Sequence, residues 1–210
     1  MKNMLSIVQL LEGKSARKRK LAILDYLTSR GMPYTLHRYR EWFIPTHNII
    51  VTKPGESNRE ILLLSHYDTY HGNPGANDNA SSVAVALNVM ERLSQESTYS
   101  TIKAIVFDDE EASPVRPNPC LGSRKYVKHH GVSDVGGVFC LELCGLGDTV
   151  VVWPVSNEDR ESTLLAAISE TFATNATPHE FVPRLPGFTS DFKPFRKAGV
   201  SEAFCLSAAP

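Results

Sequence analysis

The chain has 210 residues and a formal net charge of −1, with 42% hydrophobic, 21% charged and 9% aromatic residues. That length suits one domain with a substantial core, and the near-neutral balance excludes a global field favouring nucleic acid or acidic membranes. No apolar run approaches the roughly 18 residues of a membrane-spanning helix.

The opening "MKNMLSIVQLLEGK" lacks the long apolar stretch and small-residue cleavage site of a secretory signal, so a cytoplasmic protein is expected. Met4, Val8 and Leu11 recur at helical spacing and predict a short amphipathic helix. "KSARKRK" then packs five basic residues between Lys14 and Lys20. With Ser15 as N-cap and an apolar stripe of Leu21, Leu24 and Leu27 ending at Gly31, the run reads as solvated first turns of a second helix. Basic residues there oppose the helix dipole, so that helix must gain its stability from packing. Residues 1–31 thus form an N-terminal helical segment.

"YTLHRY" and "HNIIVTKPG" predict strands, the second ended by a Pro-Gly turn. "EILLLSH" is a continuous apolar run of strand length, as expected for a strand buried on both faces. "NASSVAVALNVMERLSQ" reads as a helix whose small first residues let it lie close to a sheet. "TIKAIVFDDEE" is a buried strand with acids at its end, and "LGSRKYVKHH" is a helix. "GGVFCLELCG" and "DTVVVWP" are strands, and "NEDRESTLLAAISETFATN" is one helix with acids at its start. "HEFVPR" is a strand, "TSDFKPFRKAG" a short helix, and "VSEAFCLSAAP" a last strand. Alternating strands and helices predict a single α/β domain, with a mixed, mostly parallel central sheet and helices on both faces. Cys120, Cys140, Cys144 and Cys205 form no C-x-x-C pair and read as free thiols in a reducing compartment.

In open α/β sheets, ligands bind outside the carboxyl ends of the strands. The first apolar strand ends at His66 and Asp68, the second at Asp108, Asp109, Glu110 and Glu111, and the third carries Glu142. Asp78 lies in the Gly/Pro/Asn-rich loop after the first, just ahead of a helix. Carboxylates gathered in one cleft repel each other and are costly to desolvate; a divalent cation removes both problems. Imidazole with carboxylates and no thiolate suits catalytic zinc with an open position, and a shared carboxylate can bridge two ions. In "H-x-D", the aspartate can accept the proton of the second ring nitrogen and orient the ring. Adjacent glutamates can diverge, one toward metal and one toward water, as a ligand and a general base require. His71 reads as a loop residue, His129 and His130 as dipole-favouring residues at a helix C-terminus, and His37 and His47 as strand residues. No G-x-S-x-G elbow, Walker loop or G-x-G-x-x-G after a strand is present, which argues against a serine hydrolase and a nucleotide-binding domain.

"NIIVTKPG", "LLLSHYDT", "PGANDNASSVAVALNVMERL", "IVFDDEEA", "LGSRKYV", "CLELCG" and "TSDFKPFRKAGV", in this order, resemble the M28-type zinc aminopeptidases and their glutaminyl-cyclase-like relatives. The resemblance runs from about residue 47 to the end. It implies a zinc-exopeptidase (phosphorylase/hydrolase-like) fold and a peptide substrate with a free N-terminus. It implies two zinc ions: His66 and Glu142 on one, Glu111 on the other, and Asp78 bridging. Glu110 would be the general base on the metal-activated water, Asp68 would hold His66, and the Asp78–Asn79 bond would be cis. Two departures stand out. Glu142 occupies a position where the peptidases usually carry aspartate. The family's last histidine ligand follows the "SD…PF…AG" segment, whereas no histidine follows His179 here. A lost C-terminal segment is the simplest expectation, with His179 as a remote substitute ligand. The expected activity is a metallo-aminopeptidase. The alternatives are a glutaminyl-peptide cyclotransferase, toward which "FDDEEA" leans, and a non-catalytic metal-binding pseudoenzyme.

Overall fold

The apolar run ahead of His66 occupies the middle of the sheet. In the computed structural model, which describes residues 4–41, 43–70, 72–114, 117–159, 161–183 and 189–209, it forms β3 (Ser57–His66). The other strands are β1 (Tyr34–Glu41), β2 (Ile44–Lys53), β4 (Ser100–Phe107), β5 (Val135–Leu141), β6 (Thr149–Trp153), β7 (His179–Phe181) and β8 (Ala203–Ala209). They make one sheet in the order β1-β2-β4-β3-β5-β8-β6-β7. The β4-β3-β5-β8 centre is parallel. β1, β2 and β6 pair antiparallel around it, and β7 lies parallel to β6.

Side chains alternate across a strand, and the sheet uses both faces. Ile49, Val51, Ala104, Val106 and Leu141 pack against α1 (Met4–Leu11), α2 (Ala16–Ser29) and α3 (Ser82–Leu93). The intervening Ile50, Leu62, Leu64, Ile105, Phe107 and Cys140 pack against α4 (Leu121–His130) and α6 (Phe192–Lys197). α5 (Thr163–Thr174) covers Val152 and Phe204 through Leu165 and Ile168. Among the described residues, no helix is long and apolar enough to cross a membrane. The four cysteines are free, with only Cys144 partly exposed.

Three local expectations are corrected. In α1, Ile7 and Leu11 face the core while Met4 is exposed. In α2, the inward face is Ile23, Tyr26, Leu27 and Arg19; Leu21 is exposed, and Ser15 holds the N-cap position without a side-chain cap bond. The basic run is therefore not wholly solvated, because Arg19 finds acceptors in a distant loop. The third is the segment from Asn157, which is not one helix. A 3-10 turn over Asn157–Asp159 precedes α5. Asp159 is engaged by the Ser156 amide at 2.8 Å and by Arg196 Nη2 at 2.9 Å. Ser162 caps α5 instead, accepting from Leu165 N at 3.0 Å.

His129 and His130 end α4 and also pack on His37 of β1. His37 Nε2 lies 2.9 Å from His129 Nδ1, and its Nδ1 lies 3.0 Å from Asn48 Nδ2. Burial, reinforced by His130 and His129, pushes His37 down to about 4. An unfolded histidine titrates near about 6.5. As pH falls through that value, the unfolded chain gains a proton that folded His37 does not accept. Stability contributed by His37 is therefore lost as pH drops from about 6.5 toward 4. His37→Gln should flatten the pH dependence of the urea midpoint across this window; an unchanged slope would remove His37 from the acid response.

Candidate active site

Strand register assembles the site. Leu64 pairs with Cys140, so two residues on His66 stands beside Glu142. His66 also pairs with Phe107, so the acids after β4 begin at the same level. The loop after β3 then returns Asp78 to this edge in the segment Ala76–Ser81, which is kinked at Asp78 and Asn79, where the backbone is non-helical and the Asp78–Asn79 bond is cis. Two asparagine side chains dock this loop. Asn79 Nδ2 donates to Leu141 O at 3.1 Å, its Oδ1 accepts from Leu143 N at 3.3 Å, and Asn77 Oδ1 accepts from Gly145 N at 2.8 Å.

His66 is 1% exposed. Its Nε2 lies 3.3 Å from both Asp78 Oδ1 and Glu142 Oε1, and 3.9 Å from Glu110 Oε2. Its Nδ1 faces Asp68, with Oδ1 at 3.3 Å and the backbone oxygen at 3.2 Å. The Asp68 carboxylate also reaches the strand-end acids, where Oδ1 accepts from Glu110 N at 3.2 Å and Oδ2 from Glu111 N at 2.9 Å. One carboxylate therefore orients the imidazole and fixes the backbone of both glutamates. All six predicted residues, His66, Asp68, Asp78, Glu110, Glu111 and Glu142, meet in one place. His66, Asp78, Glu110, Glu111, Glu142 and Thr189 line a cavity of about 270 Å³.

The electrostatics are those of a site short of positive charge. Burial pushes Glu110 well above the carboxylate range, with Asp191 and Glu142 adding to it. Burial and Asp78 push Glu111 up to about 7. Burial would lower His66, but Glu142, Asp68 and Asp78 outweigh it and hold the ring well above the histidine range. Asp78 Oδ1 is a buried atom whose contact with His66 Nε2, at 3.3 Å, lacks the geometry of a hydrogen bond. Donor atoms of His66, Asp78 and Glu142 lie within 4.8 Å of one another, as do those of His66, Glu110 and Glu111. Buried, mutually repelling oxygen donors around one imidazole fit a hard or borderline divalent cation. The longer arm of Glu142 is accommodated: Oε2 accepts from Ser190 Oγ at 2.6 Å while Oε1 faces His66.

Some residues around the site carry little mark in the sequence. Asp191 is fully buried, accepts from Ser123 Oγ at 2.5 Å, and is pushed by burial, with Glu142 and Asp68 adding, up to about 8. Its only local signal is its place in "TSDF", ahead of a short helix. Asn48 of β2 accepts from Asp108 N at 3.2 Å and donates to Gly122 O at 3.0 Å, joining the acid segment to α4. Nothing in its strand pattern marks it. His179 is not brought to the site. It lies on β7 at the sheet edge, next to Phe172 and Phe181, with Nδ1 2.8 Å from Thr177 O. His71 lies outside the described residues.

Residues 48–208 match the model of peptidase family M28. The chain belongs to that family. It is 27% identical over 151 residues to aminopeptidase YwaD of Bacillus subtilis, and 25% identical over 161 residues to a vacuolar membrane protease of Candida glabrata. Those alignments cover 68% and 75% of this chain, but only 31% and 16% of the two relatives. Among solved structures, a Porphyromonas gingivalis glutaminyl cyclase superposes with TM-score 0.75 at 21% identity, over 98% of this chain and 81% of its own. A Bacillus subtilis zinc aminopeptidase superposes with TM-score 0.66 at 22% identity, over 79% of this chain and 40% of its own. The M28 chain thus shares one fold with both kinds of enzyme. Helices α1 and α2, strand β1 and the start of β2 precede the family match.

Proposed function

We propose that this M28 chain is a zinc-dependent aminopeptidase that hydrolyses N-terminal residues from peptides. The observation that carries the reading is the meeting of His66, Asp78 and Glu142 on one point at the carboxyl edge of the sheet, with Glu110 and Glu111 beside it. His66, Glu142 and Asp78 would hold one zinc, and Asp78 with Glu111 would contribute to a second. When bound, zinc supplies Lewis-acid polarisation of the scissile carbonyl and lowers the pKa of water.

The protein's own groups do the rest. Glu110 takes a proton from water as the water oxygen attacks the carbonyl carbon, and returns it to the amine nitrogen as the C–N bond breaks. Asp68 holds the ring of His66 and the Glu110–Glu111 backbone, so base and ligands keep one geometry. A second reading, cyclisation of an N-terminal glutaminyl residue with release of ammonia, draws on the "FDDEEA" segment.

The test is zinc per chain after reloading of metal-free protein, followed by assays of an aminoacyl reporter and an N-terminal glutaminyl peptide. Tightly held zinc with release of the N-terminal residue is expected. Ammonia release without peptide cleavage would replace the peptidase by a cyclase. Weak zinc binding and no turnover would leave a non-catalytic scaffold.

A further inference from the structure

Arg19 lies outside the span matched by the family model, yet it is completely buried against the loop that delivers Asp78. Nη2 donates to Pro74 O at 2.8 Å and to Gly75 O at 2.9 Å, and Nε donates to Lys14 O at 3.2 Å. Nη1 lies 3.5 Å from Tyr67 O, one residue beyond His66. The loop must reverse between Asp68 and Asp78, and Gly75 turns it with a left-handed φ of 65°. That reversal brings the carbonyls of exposed Pro74 and buried Gly75 side by side, with room for a side-chain donor besides their backbone ones.

Arg19 is that donor, and the fit is close: a Cβ on Gly75 would fall 2.2 Å from Arg19 Nη2. Gly75 O also accepts from Ala80 N at 3.2 Å, so the guanidinium holds the first carbonyl of the turn that contains Asp78. From the other side, Gly13 N donates to Pro74 O at 2.8 Å. The α1–α2 turn and the Asp78 loop are thereby joined as one unit. Asp68 and Asp78 lie near enough to oppose the lowering that burial imposes on the guanidinium.

We propose that Arg19 is a positioning residue for the metal centre: it clamps the 74–75 backbone and keeps Asp78 on the point it shares with His66 and Glu142. The inference rests on the metal-site reading above. A planar fork that reaches several carbonyls is specific to arginine; the single ammonium of lysine cannot reproduce it.

The experiment compares zinc affinity, by chelator competition, in the wild type and Arg19→Lys, with the thermal midpoint of both metal-free proteins recorded in parallel. A folded Arg19→Lys with zinc affinity lowered about tenfold or more is expected, the size seen when groups supporting metal ligands are removed. A lowered midpoint with zinc affinity within about twofold of wild type would make the clamp merely structural and overturn the proposal. Should Arg19→Lys not fold, hydrogen exchange of the wild type decides. Zinc should slow the amides of residues 13–19 together with those of 75–80, and slowing confined to 75–80 would overturn it. A wild type that binds no zinc would defeat the functional reading itself and this inference with it, whereas a zinc-binding wild type with an unaffected variant defeats only the role of Arg19.

Discussion

Glu110→Gln is expected to leave zinc bound and to lower turnover by at least about a hundredfold, the usual contribution of a positioned general base. Glutamine keeps the size of the side chain and its contact with Cys120 Sγ, which lies 3.4 Å from Glu110 Oε1. The backbone of residue 110 stays tied to Asp68. What is lost is the ability to accept and return a proton. Zinc should survive because Asp78 and Glu142 each stand 3.3 Å from His66 Nε2, whereas Glu110 stands at 3.9 Å. Elemental analysis and kcat on the same preparation check both halves. Undiminished turnover would end the assignment of Glu110 as base. Loss of zinc would make Glu110 a ligand, as the His66–Glu110–Glu111 grouping allows.

Asp68→Asn is expected to weaken zinc binding about 10- to 100-fold, the range for groups that orient a metal-bound histidine. The carboxylate accepts from three directions: the imidazole, Glu110 N and Glu111 N. An amide has one oxygen to offer and must turn its NH2 toward one of those donors, leaving a buried N–H unpaired. The metal-free protein feels an opposing effect. Asp68 also adds to the repulsion that raises Glu110 and Glu111, so its neutralisation relieves crowding among the acids. The zinc-induced rise in thermal midpoint should therefore shrink more than the metal-free midpoint falls. A zinc-induced rise equal to that of the parent would show that His66 needs no orienting carboxylate.

Much of this centre is legible along the chain because its signals are local. A continuous apolar run announces a strand buried on both faces, and acids directly after it announce an edge that faces solvent or a ligand. Each of β3, β4 and β5 follows that grammar, which is how His66, Glu110, Glu111 and Glu142 stand out as candidates at strand ends. Asp78 is placed by the turn residues around it and by family resemblance. Glu142 in the usual position of aspartate needs the fold for its explanation, since the Ser190 hydroxyl that takes its second oxygen lies 48 positions away.

What the sequence by itself determined is the inventory: an α/β order of elements, free thiols, and one imidazole with five carboxylates at three strand ends and a returning loop. The tertiary structure decided which atoms meet. The pairing of Leu64 with Cys140 sets His66 beside Glu142, and no single strand contains that register. Arg19 looks, along the chain, like one more charge on a solvated helix face, and its acceptors at Pro74 and Gly75 lie 55 and 56 positions away. Asp191 and Asn48 are unmarked for the same reason. Whether a polar side chain is buried depends on donors and acceptors that distant segments bring to it, and local periodicity carries no record of those.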